Sequence, residues 1–100
     1  DAPSGTALLL ADAARDARGT APYVYGRSGH CPRNEGEIGI HAVRGGTIVG
    51  EHDVLFCGKD DTVSISHTAL SRVVFAQGAF RAAHFLLTAS PGLYSMKDVL

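Results

Sequence analysis

The feature that most constrains the fold is a change of hydrophobic period along the chain. Ala7, Leu10, Ala11, Ala14 and Ala17 recur at helical spacing, residues 38–68 are rich in β-branched side chains, and helical spacing returns after Ser71. Helices that bracket a run of strands predict an α+β domain, not an alternating α/β one. The first helix is expected from about Gly5 to Arg18. Gly19 is the residue type that ends a helix, and Arg15 and Arg18 place positive charge at the negative end of its dipole.

Tyr23-Val24-Tyr25, between Pro22 and Gly26, reads as a short edge strand, and the polar stretch from Arg27 to Glu37 as a surface loop. Ile38 to Arg44 and Thr47 to Cys57 read as strands joined through Gly45-Gly46, a pair suited to a tight hairpin because both residues accept positive φ. Thr62 to Thr68 is the fourth strand, with Val63 and Ile65 on one face and Ser64, Ser66 and Thr68 on the other. The run Val54-Leu55-Phe56-Cys57 does not alternate, which predicts cover on both faces.

The second helix is expected from Ser71 to Leu87, capped by Ser71, with Val74, Phe75, Gly78, Ala79, Ala82, Phe85 and Leu86 as its apolar face. Gly78 in mid-helix costs about 1 kcal/mol relative to Ala, so a close approach to the sheet is expected there. After Ser90-Pro91-Gly92 a short strand or extended segment should close the chain. The expected fold is a mixed β-sheet of about four strands with two main helices on one face. The other face then needs a cover, either a further domain or another subunit.

A chain of 100 residues with 45% hydrophobic content fits one domain, 1–100, with a modest core. The net charge of −1 excludes the electrostatic footprint of a nucleic-acid or membrane-surface protein. Cys31 and Cys57 make no disulfide framework and no Cys-x-x-Cys pair, so a reducing cytoplasm is the expected compartment. The five histidines lack the spacing of a metal site. His52 and His67 on adjacent strands read as hydrogen-bonded strand histidines before a proton relay, and Arg27, His30 and Arg33 as a solvated loop before an anion patch.

The segment with chemical character is Asp1-Ala2-Pro3-Ser4-Gly5-Thr6-Ala7. Ser4 is a good N-cap, Gly5 lets a ligand approach bare backbone, and the free N–H groups of Gly5, Thr6 and Ala7 point along the helix axis at its positive end. Such an end suits a carboxylate or phosphate. An ordinary capped helix would carry the same residues, so the local chemistry leaves both readings open.

The heptapeptide resembles the end of the signature of the dihydrodipicolinate reductase family. The likeness continues through Ile38-Gly39-Ile40-His41-Ala42-Val43-Arg44-Gly45-Gly46, through Ile48-Val49-Gly50-Glu51-His52, and from Ser66 to Ala79. It implies the substrate-binding and oligomerisation domain of a two-domain, NADPH- or NADH-dependent reductase of the diaminopimelate route to lysine, which assembles as a homotetramer through its sheets. It further implies that Gly5 and Thr6, supported by Ser4, hold a carboxylate of the cyclic dicarboxylate substrate, and that Arg72 lies near an interdomain hinge. No Gly-x-Gly-x-x-Gly occurs in the sequence and no lysine precedes Asp1. The resemblance therefore implies that the cofactor is bound mainly by another domain, that a His-His and Lys segment lies just upstream, and that this chain alone is inactive. The rival reading is a non-catalytic α+β oligomerisation module with an anion site at a helix N-terminus.

Overall fold

Two of the three buried side chains, Ala11 and Ile40, belong to the first helix and the second strand, which pack against each other. The computed structural model describes residues 1–100. Its elements are α1 (Gly5–Arg18), β1 (Tyr23–Tyr25), β2 (Ile38–Ile40), β3 (Gly50–Cys57), β4 (Thr62–Ala69), α2 (Val73–Leu86) and the short α3 (Met96–Val99). The result is an α+β fold, as expected, with two main helices and four strands paired as two two-stranded sheets, β1–β2 parallel and β3–β4 antiparallel.

Helix α1 has the predicted limits because both of its ends are chemically marked. Ser4 Oγ accepts from the Ala7 N–H at 3.2 Å, and Gly19 stops the helix at φ 88°. A polar latch fixes the helix to β1. The Tyr23 hydroxyl donates to Asp12 Oδ1 at 2.5 Å, and Arg15 pairs with the same carboxylate at 2.9 Å while lying 4.8 Å from the Tyr23 ring centre. Loss of water around Tyr23, reinforced by the bond to Asp12, pushes its hydroxyl up to about 12.

Strand β1 pairs with β2 in parallel, Tyr23 opposite Ile38 and Tyr25 opposite Ile40. The loop between them is strapped by Arg27, which pairs with Glu37 and donates to the carbonyls of Cys31 at 2.8 Å and Pro32 at 3.0 Å. Glu37 also accepts from the Asn34 N–H at 3.0 Å. Arg27 therefore spends its donors inside the loop.

The hairpin predicted at Gly45-Gly46 does not form. Strand β2 stops at Ile40 instead of reaching Arg44, its pairing edge is taken by β1, and the second run begins only at Gly50. Gly46 does adopt φ 47°, and Ile48 N–H donates to the Gly45 carbonyl at 3.3 Å, so the glycines make a local turn inside a connection. The antiparallel hairpin is instead β3–β4, with Gly50 opposite Ala69, His52 opposite His67 and Val54 opposite Ile65, turning where Gly58 N–H meets the Asp61 carbonyl at 2.8 Å. Along it, Val54, Phe56, Val63 and Ile65 share one face, and Leu55 lies with Ser64 and Ser66 on the other. Neither face is covered at Leu55 or Phe56, contrary to the expectation from the unalternated run.

Helix α2 begins at Val73 with Arg72, not Ser71, at the cap position; Ser71 Oγ instead accepts from the Val73 N–H at 3.2 Å. It packs against α3 and the segment before it, where Phe85 meets Tyr94 edge-on at 5.1 Å. A side-chain carbon added at Gly78 would touch nothing within 4 Å, so no strand approaches the helix there. The end of the chain is helical, not extended. Ser95 and Asp98 form a reciprocal capping box, and the two bonds from Ser95 hold the Asp98 carboxyl below its ordinary range. No helix is long and apolar enough to cross a membrane.

The chain is open for its size. A compact protein of this mass exposes about 5400 Å², whereas this one exposes 8403 Å². Its radius of gyration is 17.1 Å, where about 13 Å is usual for this length. Val63, Ile65, Val74, Phe75 and Phe80 all remain exposed.

Candidate anion site at the start of helix one

The segment before α1 is extended through Ser4, at φ −73° and ψ 160°, and turns helical at Gly5. The Ser4 hydroxyl takes the Ala7 N–H, and Leu8 N–H bonds to the Ser4 carbonyl at 3.1 Å, so the N–H groups of Gly5 and Thr6 carry no partner within the helix. Both residues are exposed, and a side-chain carbon added at Gly5 would meet nothing within 4 Å. The terminus therefore presents free donors at the positive end of a dipole, open to an approaching anion.

Two residues from far along the chain fix this terminus. His52 of β3 places Nε2 3.4 Å from Ser4 Oγ, and Arg44 donates its guanidinium to the Asp1 carbonyl. His52 is the hydrogen-bonded strand histidine that the sequence suggested, though nothing local pointed to its partner. Arg44 was not singled out, and no spacing rule links residues so distant. His67 stands directly across the ladder from His52.

Ser4, Gly5 and Thr6 are thus together at one helix end. Arg72 is less closely tied to them. It follows β4, whose last residue Ala69 pairs with Gly50 two positions before His52, so it leaves the hairpin at the end nearer α1. Its carbonyl accepts from Phe75 at 3.1 Å and Ala76 at 3.3 Å, while no hydrogen bond or ion pair joins its guanidinium to Ser4, Gly5 or Thr6. No group of three or more His, Cys, Asp or Glu side chains lies close enough to hold a metal. Beyond the terminus, a cleft of roughly 770 Å³ runs between α1, β2 and β3, bordered by Ala7, Ala11, Ile40, His52, Val54 and Phe56.

Fold and site together define a small α+β domain with a braced, solvent-open helix terminus. Residues 1–100 match the family described as dihydrodipicolinate reductase, C-terminus, and the chain belongs to that family. Among its relatives, proteins named 4-hydroxy-tetrahydrodipicolinate reductase are 60% identical in Rubrobacter xylanophilus, 58% in Methanosarcina mazei and 54% in Clostridium tetani. Each comparison covers 100% of this chain but only 40%, 38% and 40% of the relative. The chain spans about two fifths of the length of these curated relatives.

Proposed function

We propose that this chain is the substrate-binding and assembly domain of a reductase that converts 4-hydroxy-tetrahydrodipicolinate to tetrahydrodipicolinate with NADPH or NADH, in the diaminopimelate route to lysine. The observation that carries the reading is the open terminus of α1, with Gly5 and Thr6 N–H groups free and Ser4 held in place. A ring carboxylate resting there would accept from both N–H groups and from the Thr6 hydroxyl. Bonds to a charged acceptor are each worth about 1.5–3 kcal/mol, and a clamp of this kind works by fixing orientation ahead of the chemical step.

The reduction needs a hydride donor, and the nicotinamide cofactor supplies it when bound. No residue of this chain forms a dinucleotide fingerprint, so the reading assigns that binding, along with proton donation, to other parts of the relatives' length. What these residues do is bind and orient. The assembly role draws its support from the exposed apolar face of β3–β4 and from a surface about 3000 Å² larger than a compact chain of this mass would have. On this reading that face is covered by further copies, giving a homotetramer.

The test is Thr6→Val in the full-length protein. It keeps size and β-branching but removes a hydroxyl that bonds the carboxylate, so kcat/KM should fall about 10- to 150-fold with cofactor KM unchanged. Gly5→Val should cost more, because the space at Gly5 is open and only the ligand would claim it. A folded Thr6→Val enzyme with parental kcat/KM would refute the clamp and leave a capped helix in an α+β module.

A further inference from the structure

The Ser4 hydroxyl has one proton and two lone pairs. One lone pair takes the Ala7 N–H at 3.2 Å, and the remaining neighbour is His52 Nε2 at 3.4 Å. Two arrangements follow from which nitrogen of the ring carries its proton. If Nε2 is bare, Ser4 donates to it, and the serine proton is turned toward β3. A carboxylate arriving at Gly5 and Thr6 then meets only an oxygen lone pair, which repels it. If Nε2 carries a proton, His52 donates to Ser4, both lone pairs are filled, and the serine proton has no partner within the chain. It is then free to turn outward, toward the space faced by the Gly5 and Thr6 N–H groups.

We propose that His52 is a positioning residue for the anion site: by donating from Nε2 it turns the Ser4 hydroxyl outward and makes it a further donor to the bound carboxylate. This role rests on the anion-site reading above. The ring is well placed for it. His52 sits on a strand held in register on both sides, Glu51 opposite Thr68 and Asp53 opposite Ser66, so its position is set by a ladder and not by a mobile loop. It is half-buried, whereas Glu51 and Asp53 project from the opposite face and do not compete for the serine. The contact also ties β3 to the start of α1 across 48 positions of sequence.

The experiment compares two amides in the full-length enzyme, because Gln and Asn differ only in reach. In His52→Gln the amide nitrogen can occupy the position of Nε2 and still donate to Ser4. In His52→Asn it falls short. Steady-state kinetics and calorimetric binding of pyridine-2,6-dicarboxylate, a stable ring dicarboxylate, are the readouts. His52→Asn should raise KM and the Kd of the probe about 3- to 10-fold, with kcat and cofactor KM little changed, and His52→Gln should stay within about 2-fold of the parent. In a Ser4→Ala background His52→Asn should have no further effect, since the group it orients is gone. Equal behaviour of the two amides, or effects of Ser4→Ala and His52→Asn that multiply, would overturn the proposal. Thr6→Val separates the two readings, because Thr6 meets the anion without His52. If Thr6→Val weakens the probe and His52→Asn does not, only the positioning role fails; if Thr6→Val leaves probe affinity unchanged, the anion site fails and the role of His52 with it.

Discussion

Placing a charge on the open hairpin face by Ile65→Asp should abolish self-association of the chain. Ile65 lies opposite Val54, beside Phe56 and Val63, and 60% of its surface is exposed. Full burial of an isoleucine is worth about 1.5–3 kcal/mol, so covering what remains exposed is worth about 1–2 kcal/mol per copy. Across a two-fold interface the position counts twice, about 2–4 kcal/mol. At a factor of ten for each 1.4 kcal/mol, the substitution weakens association about 30- to 700-fold before any cost of burying the aspartate is added. Sedimentation velocity from low to high micromolar concentration reads this directly, with far-UV circular dichroism to confirm that the variant folds. The parent chain should sediment as an oligomer and Ile65→Asp as a monomer. A monodisperse parent monomer at high micromolar concentration, or a folded variant that associates as tightly as the parent, would refute the argument that this face is an interface.

The chain expressed alone should show no cofactor-dependent turnover of 4-hydroxy-tetrahydrodipicolinate, and any rate above a blank would count against assigning hydride and proton delivery elsewhere. Tyr23 keeps its proton up to about 12, so its contribution to stability is complete below its ordinary value near 10 and disappears as pH rises through about 12. Chemical denaturation across that range should show the loss in the parent and a flatter profile in Tyr23→Phe. Asp98 gives the opposite sign: its depressed carboxyl supports α3 above the ordinary carboxylate value, and that support goes as pH falls through the lowered one. Protection of the amides of residues 96–100, taken relative to the intrinsic exchange rate at each pH, should therefore fall in acid, and Ser95→Ala should show the lower protection already at neutral pH.

Legibility in the sequence followed the range of the interactions. Helix α1 was readable at both ends because Ser4 and Gly19 act within a few residues of themselves. The Gly45-Gly46 hairpin failed for the converse reason. The glycines make their turn, but whether β2 pairs forward or backward depends on the loop strapped by Arg27 and Glu37 and on the packing of β2 against α1, none of which is local to them. The α3 helix was signalled by Ser95 and Asp98 at capping-box spacing; the β-prone Leu93-Tyr94 beside a proline and glycine argued the other way, and the capping bonds won. At the site, Ser4, Gly5 and Thr6 stood out as a contiguous motif. Arg44 did not, and His52 was legible as a strand histidine but not as the partner of Ser4, because that pairing exists only after α1 and β3 have packed.

Helix α2 shows what a hydrophobic pattern does and does not encode. Ala76, Gly78, Ala79, Ala82 and Ala83 form a small-residue surface, and Val74 and Phe75 add apolar bulk, which predicts something packed closely against it. Within the chain the helix packs on α3, and Tyr94 reaches Phe85, but a side-chain carbon at Gly78 would meet nothing within 4 Å. The period of a helix reports which side chains favour leaving water; it carries no information about whose surface receives them. The same holds for the run from Val54 to Cys57, apolar without alternation yet uncovered at Leu55 and Phe56. Both elements have the composition of interior structure and the exposure of a surface, and a chain of this size with only Ala11, Ile40 and Ala69 buried has too small a core to hold them in place alone. The same physical pressure toward cover is thus written into two separate elements, α2 and the β3–β4 hairpin.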